Sequence, residues 1–490
     1  MAIAFNDIPG ATLRVPGVYI EFDGRLAGRA VFDAQVVIIG QRLSTGAVAE
    51  GVLTQVSGNS AAVEQQFGRG SMLAEMIKAA KKAAPWLNMY AIALDDNVAG
   101  VKCVKKISIT GPATEAGTLN VYIGGYRVQI AVAVGDIATD IATALIAAIN
   151  LQTDQPMVAT VNGTNAYEVD LTCRWKGETG SGVDVRVGYY EGDKTPAGLA
   201  LTVSQTTAGS GNPDITPAID ALGDEWFNWL AVPYTDAANM TILETELGSR
   251  FGPMRHIGGR AFTAFAGTHS ATGSFGNTRN NLHVTCMAAG ASPTPVWLWS
   301  AINMAIGGQA LSIDPSRQLR GKVLPGVLPP EKPDRWDDPQ RNTLLFDGIS
   351  TTTISSAGEV MIEAQISMYQ LNSGGVADDA WLYINTPETL ERIRLEQRHY
   401  FTQRYPNWKL AGDNYDVPPG QPIMQPKKAI MEMLGLYKNF MDKGWTQDYE
   451  SYKETILAEV NADNKNRLDI YDSPVLINNL RIVAIHTEFR

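Results

Sequence analysis

Cysteine is scarce in this chain: three residues in 490, far apart at Cys103, Cys173 and Cys286. An odd number at wide spacing offers neither a disulfide framework nor paired metal ligands, so free buried thiols in a reducing compartment are expected. Histidine is scarce too, with five scattered residues: His256, His269, His283, His399 and His486. His256 and His269 flank a strand candidate and could join Asp236 at one sheet edge, but no spacing marks them as a catalytic or metal set. No phosphate loop, HExxH pair, GxSxG elbow or CxxC pair occurs. The glycines at 177–182 and 209–211 lack the strand-then-helix context of a dinucleotide fingerprint. Asp337 and Asp338 lie in a Pro-rich stretch and read as a solvated turn. The expectation is no catalytic residue, no cofactor and no metal, and hence no enzyme.

Long apolar runs are missing as well. The best stretch, 130–149, is interrupted by Asp136 and Asp140, short of the roughly 20 apolar residues of a membrane span. The first ten residues have no basic start and carry Asp7, unlike a secretory signal. Basic residues are in deficit, 40 against 51 acidic, for a formal net charge of −11. A nucleic-acid-coating surface needs clustered Lys and Arg, and the Trp and Tyr residues show no base-stacking spacing. No nucleic acid, no membrane insertion and folding in a cytoplasm are therefore expected.

What is present is a globular composition, 45% hydrophobic and 19% charged, on a chain long enough for about three folding units. Val18, Ile20 and Phe22 alternate with Tyr19 and Glu21, the period of a strand. Residues 35–39 read as a buried strand and 71–84 as a helix capped by Ser71. From about residue 105 the texture changes to short strand-like runs separated by Gly-containing turns, with one helix carrying Ile137, Ile141, Leu145 and Ile149. A βα alternation follows, with strands near 226–232, 259–265 and 282–287 and helices near 236–251 and 295–306. Residues 349–355 and 359–369 make a hairpin around Ala357-Gly358. Helices are predicted at 386–404, with Thr386 as capping hydroxyl, and at 427–441 and 449–460. The chain closes on a strand over 475–488, whose centre (Ile482, Val483, Ala484, Ile485) is apolar on both faces. The expected architecture is an α+β or α/β multidomain protein. It comprises a central mixed sheet with helices (26–104 and 206–370), an inserted β-rich domain (105–205), a helical C-terminal region (371–472) and strand arms at 1–25 and 473–490.

Within 423–445 four lysines, Lys427, Lys428, Lys438 and Lys443, face two acids, Glu432 and Asp442. That gives a local charge of 4 − 2 = +2 in an acidic chain. On a helix, Ile430, Met433, Leu434, Tyr437 and Met441 would form the apolar face, with Lys427 and Lys438 beside it and Lys428 further round.

Three segments carry a resemblance. Val15-Pro16-Gly17-Val18-Tyr19-Ile20-Glu21 resembles the start of contractile phage tail sheath proteins of the Mu type. Gly223-Asp224-Glu225-Trp226-Phe227-Asn228 through Pro233-Tyr234 fits the same family, as does 461–489 with Asn466-Arg467 and its closing strand. The resemblance implies a subunit of hexameric rings, stacked helically around a tail tube in the virion, assembled in the host cytoplasm and attached to baseplate and tail terminator proteins. On triggering, such a sheath shortens and drives the tube through the host envelope. It implies arms that add strands to neighbours' sheets, with the C-terminal domain facing the tube and the insertion facing outward. The arm residues are then Val18, Tyr19, Ile20 and Phe22 at one end and Ile482, Val483, Ala484 and Ile485 at the other; the tube-facing ones are Lys427, Lys428, Lys438 and Lys443. Sequence physics alone also accommodates ends that pair inside their own domain. Sheaths of bacteriocins or secretion machines would share these features, and an α/β hydrolase would use the central layer differently.

Overall fold

The computed structural model describes residues 34–489; the N-terminal arm residues Val18, Tyr19, Ile20 and Phe22 lie outside them. The core is a six-stranded sheet of β1 (Gln35–Gln41), β2 (Leu53–Gln55), β3 (Asn88–Leu94), β11 (Trp229–Ala231), β12 (Arg260–Phe265) and β13 (Val284–Ala288), in the order β13-β12-β11-β1-β3-β2. All pairs are parallel except β2 with β3, so the sheet is mixed. The parallel strands read as continuous apolar runs because helices cover them.

Two of the covering helices, α2 (Met72–Ala83) and α7 (Val296–Ile313), pack against each other. Helix α7 is apolar on nearly every side and runs two turns beyond the predicted 295–306. Its Gly307 and Gly308 are required by close approach: a Cβ on Gly308 would sit 2.8 Å from the Trp229 ring. The remaining helices of this layer are α1 (Ser60–Phe67), α4 (Thr216–Leu222), α5 (Ala237–Phe251), α6 (His269–Gly276) and α8 (Asp338–Phe346). Asp337 and Asp338 are therefore not a solvated turn. The Asp337 side chain caps α8 and Gln340 closes the reciprocal bond, which together stabilise the helix start.

Residues 104–207 supply two further sheets and α3 (Ala138–Leu151). One contains β4 (Val104–Thr110), β7 (Met157–Val161), β8 (Glu168–Cys173) and β10 (Ala200–Thr207) in the order β10-β4-β8-β7; the other contains β5 (Gly117–Ile123), β6 (Tyr126–Val132) and β9 (Val185–Val187). The β7 edge is blocked: the Asn150 amide of α3 accepts from the Ala159 N–H at 3.0 Å and donates to its C=O at 2.8 Å. The β10 edge is exposed along its length and uncharged. A hairpin, β14 (Thr351–Ile354) and β15 (Val360–Ala364), then leads towards the C-terminal region.

The C-terminal region holds α9 (Asn385–Arg404), the short pair β16 (Lys409–Leu410) and β17 (Ile423–Met424), α10 (Pro426–Asp442), α11 (Tyr449–Thr455) and a hairpin of β18 (Leu457–Val460) with β19 (Leu468–Tyr471). Two expectations change here. Thr386 lies inside α9 and caps nothing, since the N-cap is Ile384 without a side-chain bond. The helix predicted over 449–460 stops at Thr455, because residues 457–460 pair with 468–471 instead. Among the described residues no helix is long and apolar enough to cross a membrane.

Candidate functional site: the C-terminal assembly surface

Helices α9, α10 and α11 enclose a small second core of Ile393, Met433, Leu436, Tyr437, Phe440, Trp445, Tyr452 and Ile456. The buried face of α10 is Ala429, Met433, Leu436, Tyr437 and Phe440. This corrects the predicted face: Ile430 and Leu434 are half-buried and Met441 is exposed. The stripe is rotated because α10 packs against the hairpin of β18 with β19 and against α11. Tyr437 stacks on Tyr452 with centroids 3.7 Å apart, and Tyr452 donates to Asp472 at 2.6 Å.

The rotation leaves Lys427 and Lys438 in the middle of the exposed face, with exposed Met431 between them. Lys428 lies 4.4 Å from the Trp408 ring centroid and Lys438 lies 4.8 Å from that of Tyr449. Lys443 sits 4.5 Å over Trp445 and bonds Glu396 at 2.9 Å. Three of the four lysines are thus oriented by rings of this same region, which limits their rotamer freedom.

The chain then leaves by a defined route. The Tyr437 hydroxyl donates to the Gln447 carbonyl at 2.5 Å and accepts from the Val475 N–H at 3.2 Å. Gln447 N–H donates to Val475 O, and Ile477 N–H to Trp445 O. Further on, Asn479 accepts from the Gln318 N–H at 3.1 Å, Gln318 donates to Leu480 O at 2.8 Å and Arg320 to Arg481 O at 2.9 Å. The Arg481 guanidinium lies 3.6 Å over the Tyr383 ring and donates to Asn385 at 3.3 Å; burial lowers its pKa. Sequence reasoning missed this clamp, although Arg481 is the one charge inside the apolar run 475–485.

Beyond Arg481 the clamp ends. The predicted closing strand over 475–488 is not formed within the chain; apart from one bridge between Thr446 and Leu476, residues 474–489 have no strand pairing. Ile482 is 85% exposed, Val483 66% and Ile485 81%, and Ala484 is exposed too. No partner strand for this end lies among the described residues. A strand apolar on both faces needs cover on both, and no sheet among the described residues supplies it.

The other predicted polar sets do not converge. His256 precedes β12 and His269 follows it, at opposite ends of a six-residue strand that rises ~3.3 Å per residue. His269 is 2.9 Å from Gln340 O, and Asp236 caps α5 through the Asn239 N–H. Among the described residues no group of three or more His, Cys, Asp or Glu could hold a metal. Cys103, Cys173 and Cys286 are buried and free. A dense charged set lies where α9 meets the amino edge of the sheet. Arg260, fully buried, donates to Glu388 at 2.9 Å and to Leu282 O at 2.8 Å, and Glu388 also accepts from Trp229 at 3.3 Å. His283 beside it is pushed down to about 3 by burial and by Arg260 and Arg394. Glu388, in the first turn of α9, ties that helix to the sheet.

Residues 208–368 match the family model of the phage tail sheath protein central domain. The Mu-like prophage FluMu tail sheath protein of Haemophilus influenzae is 38% identical over 491 residues, covering 100% of both chains. A sheath tail protein from Desulfitobacterium hafniense shares the fold, with a TM-score of 0.50 at 14% identity over 95% of this chain and 97% of that one. A full-length match at that identity settles the family: the protein belongs to the contractile phage tail sheath family and is a tail sheath subunit.

Proposed function

We propose that this subunit polymerises as stacked hexameric rings in a helical sheath around the tail tube, and that residues 482–489 are an arm that adds a strand to a neighbouring subunit. The observation that carries the reading is the abrupt change at Arg481: clamped backbone before it, eight mostly apolar and exposed residues after it. An exposed strand-forming segment is a template for pairing, and strand addition is a common docking mode. Residues 1–25 are assigned the matching role at the other end. The division into a core (26–104 and 206–370), an outward insertion (105–205), a tube-facing region (371–472) and a terminal arm (473–490) belongs to the same proposal. So do attachment to baseplate and terminator proteins, assembly in the host cytoplasm and a purely mechanical, non-enzymatic role.

The exposed lysine face of α10 fits an acidic band on the tube. Charges at such a rim steer and register a contact more than they strengthen it, which suits a sheath that must release the tube on shortening. Deleting residues 482–490, which leaves the clamp in place, tests the arm: a folded monomer that builds no contractile sheath under electron microscopy is expected. Normal assembly and contraction by the truncated chain would refute strand exchange at this end. Val483→Pro is the finer version, since it removes one ladder donor from an exposed residue.

A further inference from the structure

Glu75 is an unusual choice for its position. It lies in the first turn of α2, is 2% exposed, and receives one side-chain hydrogen bond, from the Trp297 indole N–H at 3.0 Å. Its other oxygen has no partner. Trp297 belongs to α7, and its ring meets that of Trp175, from the segment after β8, edge-on at 5.1 Å. Three parts of the molecule therefore meet at one carboxyl: α2, α7 and the inserted module.

The charges around it are few and mostly spoken for. On its own helix Lys78 bonds Glu64 at 3.1 Å and lies 3.6 Å from Asp154. From the module, Asp154 pairs with Arg69 at 2.7 Å, and Arg174 donates to Gln155 O at 2.8 Å. Tyr126, also from the module, is raised by burial and by Glu75; α7 contributes only the indole. Burial pushes the Glu75 carboxyl up to about 8, against the pull of Trp297, Lys78 and Arg174 and with a small push from Asp154.

We propose that Glu75 is a proton-held joint, seating the inserted module on the α2–α7 pair while the carboxyl keeps its proton and loosening it when the proton leaves. The sign follows from linkage. A carboxyl opened to water loses its proton near 4.5, whereas the seated one keeps it to about 8. Opening is thus favoured progressively as pH rises from 4.5 to 8 and levels off above that. The joint is tightest in acid, the reverse of a salt-bridged carboxylate.

Cys173, buried at the end of β8 next to this joint, reports opening by its alkylation rate, normalised to a free thiol peptide at each pH. In the full-length subunit the normalised rate is expected to rise about tenfold per pH unit between 6 and 8 and then flatten. Glu75→Gln keeps the neutral shape and should abolish the rise. A rate in the natural chain that does not change with pH overturns the proposal, as does the same rise in Glu75→Gln. Cys286, in the central sheet, separates a loosened joint from global unfolding: slower labelling than Cys173 is expected, and equal rates would overturn the proposal. If Glu75→Gln does not fold, the shape of the natural chain's curve and its Cys173 to Cys286 ratio still decide.

Discussion

Arg481→Ala should release the C-terminal tail without unfolding the subunit. The side chain makes two interactions: stacking at 3.6 Å on Tyr383 and a long hydrogen bond at 3.3 Å to Asn385. A partly desolvated cation–π contact contributes ~0.5–2 kcal/mol and the hydrogen bond ~0.5–1.5 kcal/mol. Together about 2 kcal/mol is lost, roughly a 30-fold increase in the detached population of residues 478–481. The Arg320 bond to the Arg481 carbonyl involves backbone on the tail side and survives the substitution. Hydrogen exchange reads the change locally, because the Gln318 N–H is held only while Asn479 is in place. Its protection should fall about 30-fold, while Ile477, bonded to Trp445 upstream of the clamp, keeps its own. Unchanged protection at Gln318 would mean that the backbone bonds alone hold the tail.

Reversing Lys427, Lys428 and Lys438 to Glu should impair assembly around the tube and leave tubeless polymers intact; normal tube-templated assembly at low and physiological salt would exclude a lysine-guided contact. Arg260→Ala takes the buried cation from the half-buried Glu388 and should cost up to about 3 kcal/mol in denaturant unfolding, whereas Arg260→Met with Glu388→Gln should cost less. His283 is held neutral to about 3 while its unfolded counterpart protonates near 6.5. Stability should therefore fall as pH drops from 6.5 towards 3, and His283→Gln should flatten that part of the thermal unfolding profile.

Where cap and apolar face are local, the sequence was legible: Ser71 before α2 and Asp236 before α5 cap the expected helices. The βα alternation correctly indicated a layered sheet because each parallel strand is mostly apolar and buried. Helix α8 escaped notice because its Pro339 and its Asp337–Gln340 box read as loop chemistry when proline is taken as a breaker rather than a first-turn residue. Strand β18 was mistaken for helix because its identity rests on pairing with 468–471, a contact no local pattern carries. Helix α10 lies where expected and carries Lys427, Lys428 and Lys438, but its buried face was turned, since Leu436 and Phe440 are selected by the elements packed on it rather than by spacing. The arm was read as a strand from its residues alone. Its lack of an internal partner depends on every other sheet in the chain and so only the structure reveals it.

The side-chain block on β7 has a consequence for misassembly. A sheet with two open edges can stack without limit, whereas here Asn150 closes one edge and only β10 remains available. Two modules that meet in concentrated solution can join through their β10 edges, and that union consumes both. Stray association through this four-stranded sheet therefore ends at pairs instead of running on into fibres. A single amide thus limits how far unintended edge pairing can spread.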